Sequence, residues 1–245
     1  MLLIRHIKNQ SLYLMKNNKL RYDYIILIIC AYLLTGCGQM DSKTDKTVPK
    51  DSVQTASSKK QEVVKHILFF GTSLTAGMGV NPEQAFPALI QHKIDSLHLP
   101  YKVINAGLSG ETSAAGKSRI SWILKQPVDI FVLELGANDG LRGIPVKETT
   151  ANIQAVIDQV KNKYPKAKLL LTGMQMPPSM GEKYTASFAA IFPALAKKNK
   201  MDLLPFLLKD VGGIERLNQK DGIHPTPEGH KIVAENVWLK LQPEL

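Results

Sequence analysis

Cysteine is almost missing from this chain: its 245 residues include two, Cys30 and Cys37. Everything from Gly38 onward is therefore free of thiol, which excludes disulfides, thiolate metal sites and a cysteine nucleophile from the body of the chain. Aromatic residues are also scarce, at 7%, and do not interleave with basic clusters, so the stacking platform of a nucleic-acid binder is missing. Long apolar runs are lacking as well. The run Tyr24 to Leu34 has eleven residues, too few to span a bilayer, which takes about 20.

What that run does have is a basic flank. Lys16, Lys19 and Arg21 precede it, giving the charged and apolar regions of an export signal. Leu34-Thr35-Gly36-Cys37 follows and resembles the bacterial lipobox, in which small residues precede a cysteine that is lipidated and becomes the new N-terminus. Residues 1–37 are thus expected to be a lipoprotein signal peptide, with Cys37 as the lipidation site and the bacterial cell envelope as the destination, its face left open. Translation from Met15 would give a signal of ordinary length. Residues 1–36 carry five Lys/Arg and one Asp, so their removal lowers the formal charge from +10 to +6, a solvated surface with weak attraction to anionic membrane. Gly38 to Glu62 is rich in Ser, Thr, Lys and Asp and predicts a disordered tether, residues 38–62.

From Val63 onward, apolar segments alternate with amphipathic ones, which predicts an α/β domain over residues 63–245 with a parallel sheet covered on both faces. His66 to Phe70 reads as the first strand, ending at Gly71, where the backbone turns toward Ser73. Asn81-Pro82-Glu83 predicts a capped helix running to about Leu97, with Phe86, Leu89, Ile90 and Ile94 on one face. Further strands are expected at 101–106, 128–135, 167–172 and 203–206. Helices are expected from Gly116 to about Lys125, over 147–163, and from Thr185 with a kink at Pro193. A last helix runs through Val233, Val237 and Leu241, with Thr226 as cap and Pro227 in its first position. Glu134 is an odd residue for a buried strand and calls for a polar partner.

The chemistry-bearing residues lie in the loops. Gly110 to Gly116-Lys117-Ser118 approaches a phosphate-binding loop, but five residues intervene where that motif needs four, so no nucleotide site is expected. Met174 to Tyr184 is a proline-broken loop beyond a strand's carboxyl end, which makes Met176, Pro178 and Met180 candidate pocket-wall residues. Asp221 and His224 are three residues apart in a turn stiffened by Pro225 and Pro227. A base and the acid that orients it could act from one such loop, with Ser73 as the nucleophile. Taken alone, Ser73 could equally be a cap or turn residue, Asn138 a turn residue, and Asp221 to Thr226 a capped helix entry with a surface histidine. His230 is a rival base, set one turn into the helix.

Four blocks in order, GTSLTAG at Ser73, NAGLSGETS at Gly107, LELGANDGLRG at Asn138 and DGIHPTPEGH at His224, resemble those of the SGNH, or GDSL, hydrolases across residues 66–241. The wording is most similar to the thioesterase I, lysophospholipase and arylesterase branch. The resemblance implies a flavodoxin-like three-layer α/β/α sandwich with about five parallel strands, carrying a serine esterase that needs no cofactor or metal. It implies a catalytic triad of Ser73, Asp221 and His224, and an oxyanion hole of the Ser73 amide, Gly107 and Asn138. A small-molecule or lipid ester is the implied substrate: a lysophospholipid, or an aryl or short-to-medium acyl ester. Glycan deacetylation and a non-catalytic lipid-binding role are the alternatives. Thr72 departs from the pattern, since the family motif has Asp there. GxSxG is absent, which excludes the ordinary α/β-hydrolase elbow.

Overall fold

Where the sequence places apolar runs among polar ones, a single parallel sheet forms, because strands rich in Ile, Leu, Val and Phe can be buried on both faces only under covering helices. The computed structural model describes residues 63–245. The export signal, Cys37 and the polar tether lie outside the described residues. The strands are β1 (Lys65–Gly71), β2 (Tyr101–Gly107), β3 (Ile130–Leu133), β4 (Lys168–Thr172) and β5 (Asp202–Leu204). They order as β2-β1-β3-β4-β5, all parallel. Ile67 to Phe70 in β1 and Ile130 to Leu133 in β3 are buried on both faces and form the middle of the core.

Helices α1 (Ser73–Ala76), α2 (Phe86–Ser96), α3 (Ser113–Ile123), α4 (Ala137–Leu141), α5 (Val146–Lys163), α6 (Glu182–Ala189), α7 (Ile191–Asn199) and α8 (Pro227–Leu241) fill the connections. Helix α2 packs on α8, while α3 packs on α5 and α5 on α6 and α7, giving the expected three-layer sandwich. The expected stripe of Ile153, Val156, Ile157 and Val160 is buried on α5. Between β1 and β3 the order of connection reverses, with β2 on one side and β4 and β5 on the other, and a crevice opens at the strands' carboxyl ends.

The strand expected over 128–135 is only Ile130–Leu133 and the one over 203–206 is Asp202–Leu204, and three helix boundaries near the loops differ as well. Asn81 and Pro82 cap a short 3₁₀ turn, Pro82–Gln84, rather than a long helix; α2 begins only at Phe86, after an extended Ala85. Helix α3 begins at Ser113 on a Thr112 cap, so Gly116 lies inside it. A side chain at Gly116 would press within 2.9 Å of Leu135, so glycine there lets α3 approach the sheet. The Gly116-Lys117-Ser118 string is consequently helical, not a phosphate cradle. The kink expected at Pro193 is a break at Ala190, three residues earlier. A proline in the first turn of α7 has no N–H to bond back to Ala189, and the chain divides there into two helices.

Candidate active site

β1 ends at Gly71, and its approach to the neighbouring side chains explains the glycine. A Cβ at Gly71 would overlap Thr75 Oγ1 and come within 2.7 Å of a Glu134 carboxylate oxygen. Close packing, rather than an unusual turn, is what this position demands. Two residues on, Ser73 opens α1, a four-residue helix with no side-chain cap. The Ser73 N–H donates to no described group, as befits the first turn of a helix. Its side chain is mostly covered, at 8% exposure, and lines a cavity.

His224 reaches Ser73 from the other end of the chain. Gln219 N–H donates to His224 C=O at 2.7 Å and Thr226 N–H to Leu217 C=O at 2.9 Å, closing residues 217–226 into a tight loop. Gly222 sits at φ +71° within it, a left-handed conformation that favours glycine. Thr226 Oγ1 accepts the Gly229 N–H at 3.3 Å and Pro227 opens α8, as the spacing predicts. In this frame Asp221 Oδ2 lies 2.7 Å from His224 Nδ1, and His224 Nε2 lies 2.8 Å from Ser73 Oγ. Asp221 Oδ1 also accepts the N–H groups of Ile223 at 2.9 Å and His224 at 3.0 Å. The hydrogen bond from the His224 ring, with those two amides, holds the Asp221 carboxyl down at about 2. It is thus an anion at working pH and fixes the imidazole with its proton on Nδ1 and its lone pair toward Ser73.

His230 is excluded from this role. It is buried in α8, its Nδ1 accepts the Phe86 N–H at 3.3 Å, and its ring stacks on Phe86. Burial, with the nearby His224, pushes its pKa down to about 4.

Asn138 stands in α4 at the end of β3. Its neighbour Asp139 is buried and accepts the Ser113 N–H at 2.7 Å and the Ser113 hydroxyl, tying α4 to α3. Asn138 Nδ2 donates one hydrogen to Glu111 C=O at 3.1 Å; the second has no partner among the described groups, and the residue lines the cavity. Glu111 is itself held by Arg119, which grips both carboxylate oxygens at 2.7 and 2.6 Å and lies over the Phe70 ring.

Gly107 does not fit the expected role. Its N–H donates to Asn105 Oδ1 at 2.9 Å, and a Cβ there would run into the Thr75–Ala76 backbone. It is a spacer behind α1. Gly110, exposed at φ +77°, lies next to the Glu111 carbonyl that holds Asn138, and its N–H donates to no described group.

The cavity, about 540 Å³, runs from Ser73 and His224 along Leu74, Leu141, Met176, Pro178 and Ile223. Met176 and Pro178 stand where the sequence reading puts them. Met180 does not: it packs against the core outside this wall. Gln219, which sequence reasoning passes over, donates to Met78 C=O at 2.8 Å and ties the histidine loop to the chain beyond α1; a glutamine in a loop carries no signal of such a bond. Glu134 finds its partners in Thr72 and Thr75, which donate three hydrogen bonds to it: the Thr72 N–H at 2.8 Å, the Thr72 hydroxyl at 2.9 Å and the Thr75 hydroxyl at 2.9 Å.

Comparison with known proteins shows the family to which the chain belongs. The model of the GDSL-like Lipase/Acylhydrolase family matches residues 69–232. Esterase TesA of Pseudomonas aeruginosa is 36% identical over 187 residues, covering 76% of this chain and 92% of that protein. Thioesterase 1/protease 1/lysophospholipase L1 of Escherichia coli is 37% identical over 178 residues, 72% of this chain and 83% of that protein. Among solved structures, the psychrotrophic esterase EstA from Pseudoalteromonas sp., inhibited by monoethylphosphonate, superposes with a TM-score of 0.69 at 30% identity, covering 74% of this chain and 98% of that one.

Proposed function

We propose, for a chain that belongs to the GDSL-like lipase/acylhydrolase family, that Ser73, His224 and Asp221 cleave carboxylic esters through an acyl-enzyme. The chain is a hydrolase of the esterase type. The observation that carries the triad reading is the continuous run from Ser73 Oγ to His224 Nε2 at 2.8 Å and from His224 Nδ1 to Asp221 at 2.7 Å. Ser73 Oγ attacks the carbonyl carbon while His224 takes its proton, and Asp221 stabilises the imidazolium. Collapse of the tetrahedral adduct expels the alcohol, which takes that proton. Water then attacks the acyl-Ser73 ester by the same route and releases the acid. The developing oxyanion is met by the Ser73 N–H, the free hydrogen of Asn138 Nδ2 and the Gly110 N–H, which takes the place first assigned to Gly107. Ser73→Ala should lower kcat by roughly 10³-fold or more and abolish labelling by a fluorophosphonate. Turnover or labelling retained in Ser73→Ala would reject the assignment.

An apolar cavity beside the nucleophile suits an acyl chain better than the acetyl group of a glycan, so a lysophospholipid or an aryl or medium acyl ester is the proposed substrate. Export and attachment through a lipid on Cys37 are part of the same reading, supported by the basic flank, the apolar run and the Leu34-Thr35-Gly36-Cys37 string. Cys37→Ala should abolish incorporation of labelled fatty acid; unchanged incorporation would reject the anchor.

A further inference from the structure

Behind the nucleophile lies a charged group that the ester chemistry does not use. Glu134 immediately follows β3, is 2% exposed, and its side chain reaches across to the end of β1. All of its hydrogen bonds come from two residues that flank Ser73 in the chain. Thr72 supplies its N–H at 2.8 Å and its hydroxyl at 2.9 Å, and Thr75 its hydroxyl at 2.9 Å. Among the described residues no cation pairs with this carboxylate; the groups that face it are Thr72, Thr75 and the space left by Gly71. A buried carboxyl without a counter-ion is costly, and burial outweighs the hydrogen bonds from Thr72 and Thr75, lifting its pKa to about 7. An apolar residue would fill the space without that cost.

We propose that Glu134 is a positioning residue for Ser73, clamping the 72–75 backbone through Thr72 and Thr75 so that both the Ser73 hydroxyl and its N–H hold their places beside His224. Helix α1 has a single turn and no side-chain cap at its N-terminus; Asn105 Nδ2 holds its far end on Thr75 C=O at 2.9 Å, and Glu134 holds the Thr72 end, next to the Ser73 amide. Glu134 supplies from the neighbouring strand the acceptor that a cap would supply from within the chain. Thr72 is what suits this arrangement. An Asp at that position, as in the family motif, would bring a second carboxylate against the first, and the pair would have to share a proton. With a threonine hydroxyl there, Glu134 receives only donors.

The proposal rests on Ser73 being the nucleophile, and the experiment separates the two. Glu134→Leu, Glu134→Gln and the paired Thr72→Val/Thr75→Val variant are compared with wild type and Ser73→Ala. The readouts are kcat and KM on an aryl ester, the rate of fluorophosphonate labelling, and melting temperature. In Glu134→Leu, kcat and labelling rate should fall 10- to 100-fold with KM changed less than about threefold, since small misplacement of a reacting group costs that much. Glu134→Gln keeps an acceptor oxygen for the Thr72 amide and should recover most of the rate. Above pH 8 it should melt no lower than wild type, because it buries no charge. If Glu134→Leu does not fold, the paired valine variant carries the test, with labelling about tenfold slower expected. Labelling and kcat at the wild-type level in a folded Glu134→Leu or paired valine protein would overturn the proposal, leaving Glu134 a purely structural residue. Activity surviving in Ser73→Ala would instead overturn the triad itself.

Discussion

Asn138 is the residue on which the proposed ester chemistry can be tested most sharply, because one of its two amide hydrogens is already engaged and the residue lines the cavity. One hydrogen of its amide is held by Glu111 C=O at 3.1 Å, and that grip orients the other. A donor that strengthens only as charge develops on the substrate oxygen lowers the barrier without tightening ground-state binding. Asn138→Ala should therefore reduce kcat by roughly 10² to 10³, about 3 to 4 kcal/mol, with KM little altered. Asn138→Asp should be at least as harmful, since it turns a carboxylate toward the oxyanion. Steady-state kinetics and melting temperature on both proteins check this; a loss of stability with kcat preserved would make Asn138 a turn residue only. At this scale, what could be read in advance followed local rules. Asp221 and His224 are three residues apart with Gly222 between them and Pro225 and Pro227 following, and within one such loop their side chains meet. Gly107 was misplaced because two glycines stand three residues apart in one loop, and sequence alone does not show that the Gly107 amide is engaged by Asn105. Glu134 was recognisable as needing a partner, but Thr72 is 62 residues away in sequence and meets it only across adjacent strands.

Among the elements, α8 does more than cover the sheet, since it fixes where the histidine loop ends. Thr226 Oγ1 accepts the Gly229 N–H, and loss of such a cap typically costs about 1 kcal/mol. Thr226→Ala should lower the melting temperature by about 2 to 4 °C for a domain of this size, measured by thermal unfolding; an unchanged melting point would show that Pro227 alone sets the helix start. Strand and helix identities followed from apolar periodicity, as in α5, whose stripe of Ile153, Val156, Ile157 and Val160 is buried as expected. Boundaries were less legible. Gly116 reads as the end of a loop and Pro193 as a kink, yet Gly116 is interior to α3, where its small size makes room for Leu135, and the break before α7 falls at Ala190. Packing against a distant element decides such cases, and one segment read alone does not contain it.

For the molecule as a whole, Glu134 couples folding to pH. Its carboxyl is raised in the folded state from 4.5 to about 7, chiefly by burial. The folded protein therefore holds this proton more tightly than the unfolded chain does. The stabilising contribution is complete below about pH 4.5 and is lost as pH rises through about 7, a difference on the order of 3 kcal/mol. The contribution of Glu134 should lower stability progressively between about pH 5 and 8, and the difference between wild type and Glu134→Gln in chemical denaturation should grow in Gln's favour over that interval. A difference that does not vary with pH would show that Glu134 titrates normally. The three-layer architecture itself was legible, because alternation of fully apolar strands with amphipathic helices leaves few other arrangements.

The order of the sheet divides labour among its strands. β1, β2 and β3 lie side by side and deliver the Ser73 turn, the Gly110 loop and Asn138, whereas the Met174–Pro178 wall comes off β4, one strand further out. On the proposed reading, the nucleophile and the oxyanion donors thus leave from neighbouring strands, while one wall of the acyl cavity leaves from another. On that reading, drift in the β4 loop would retune which esters are accepted while the proposed reacting groups keep their alignment. Such a site can change diet without having to reinvent its chemistry.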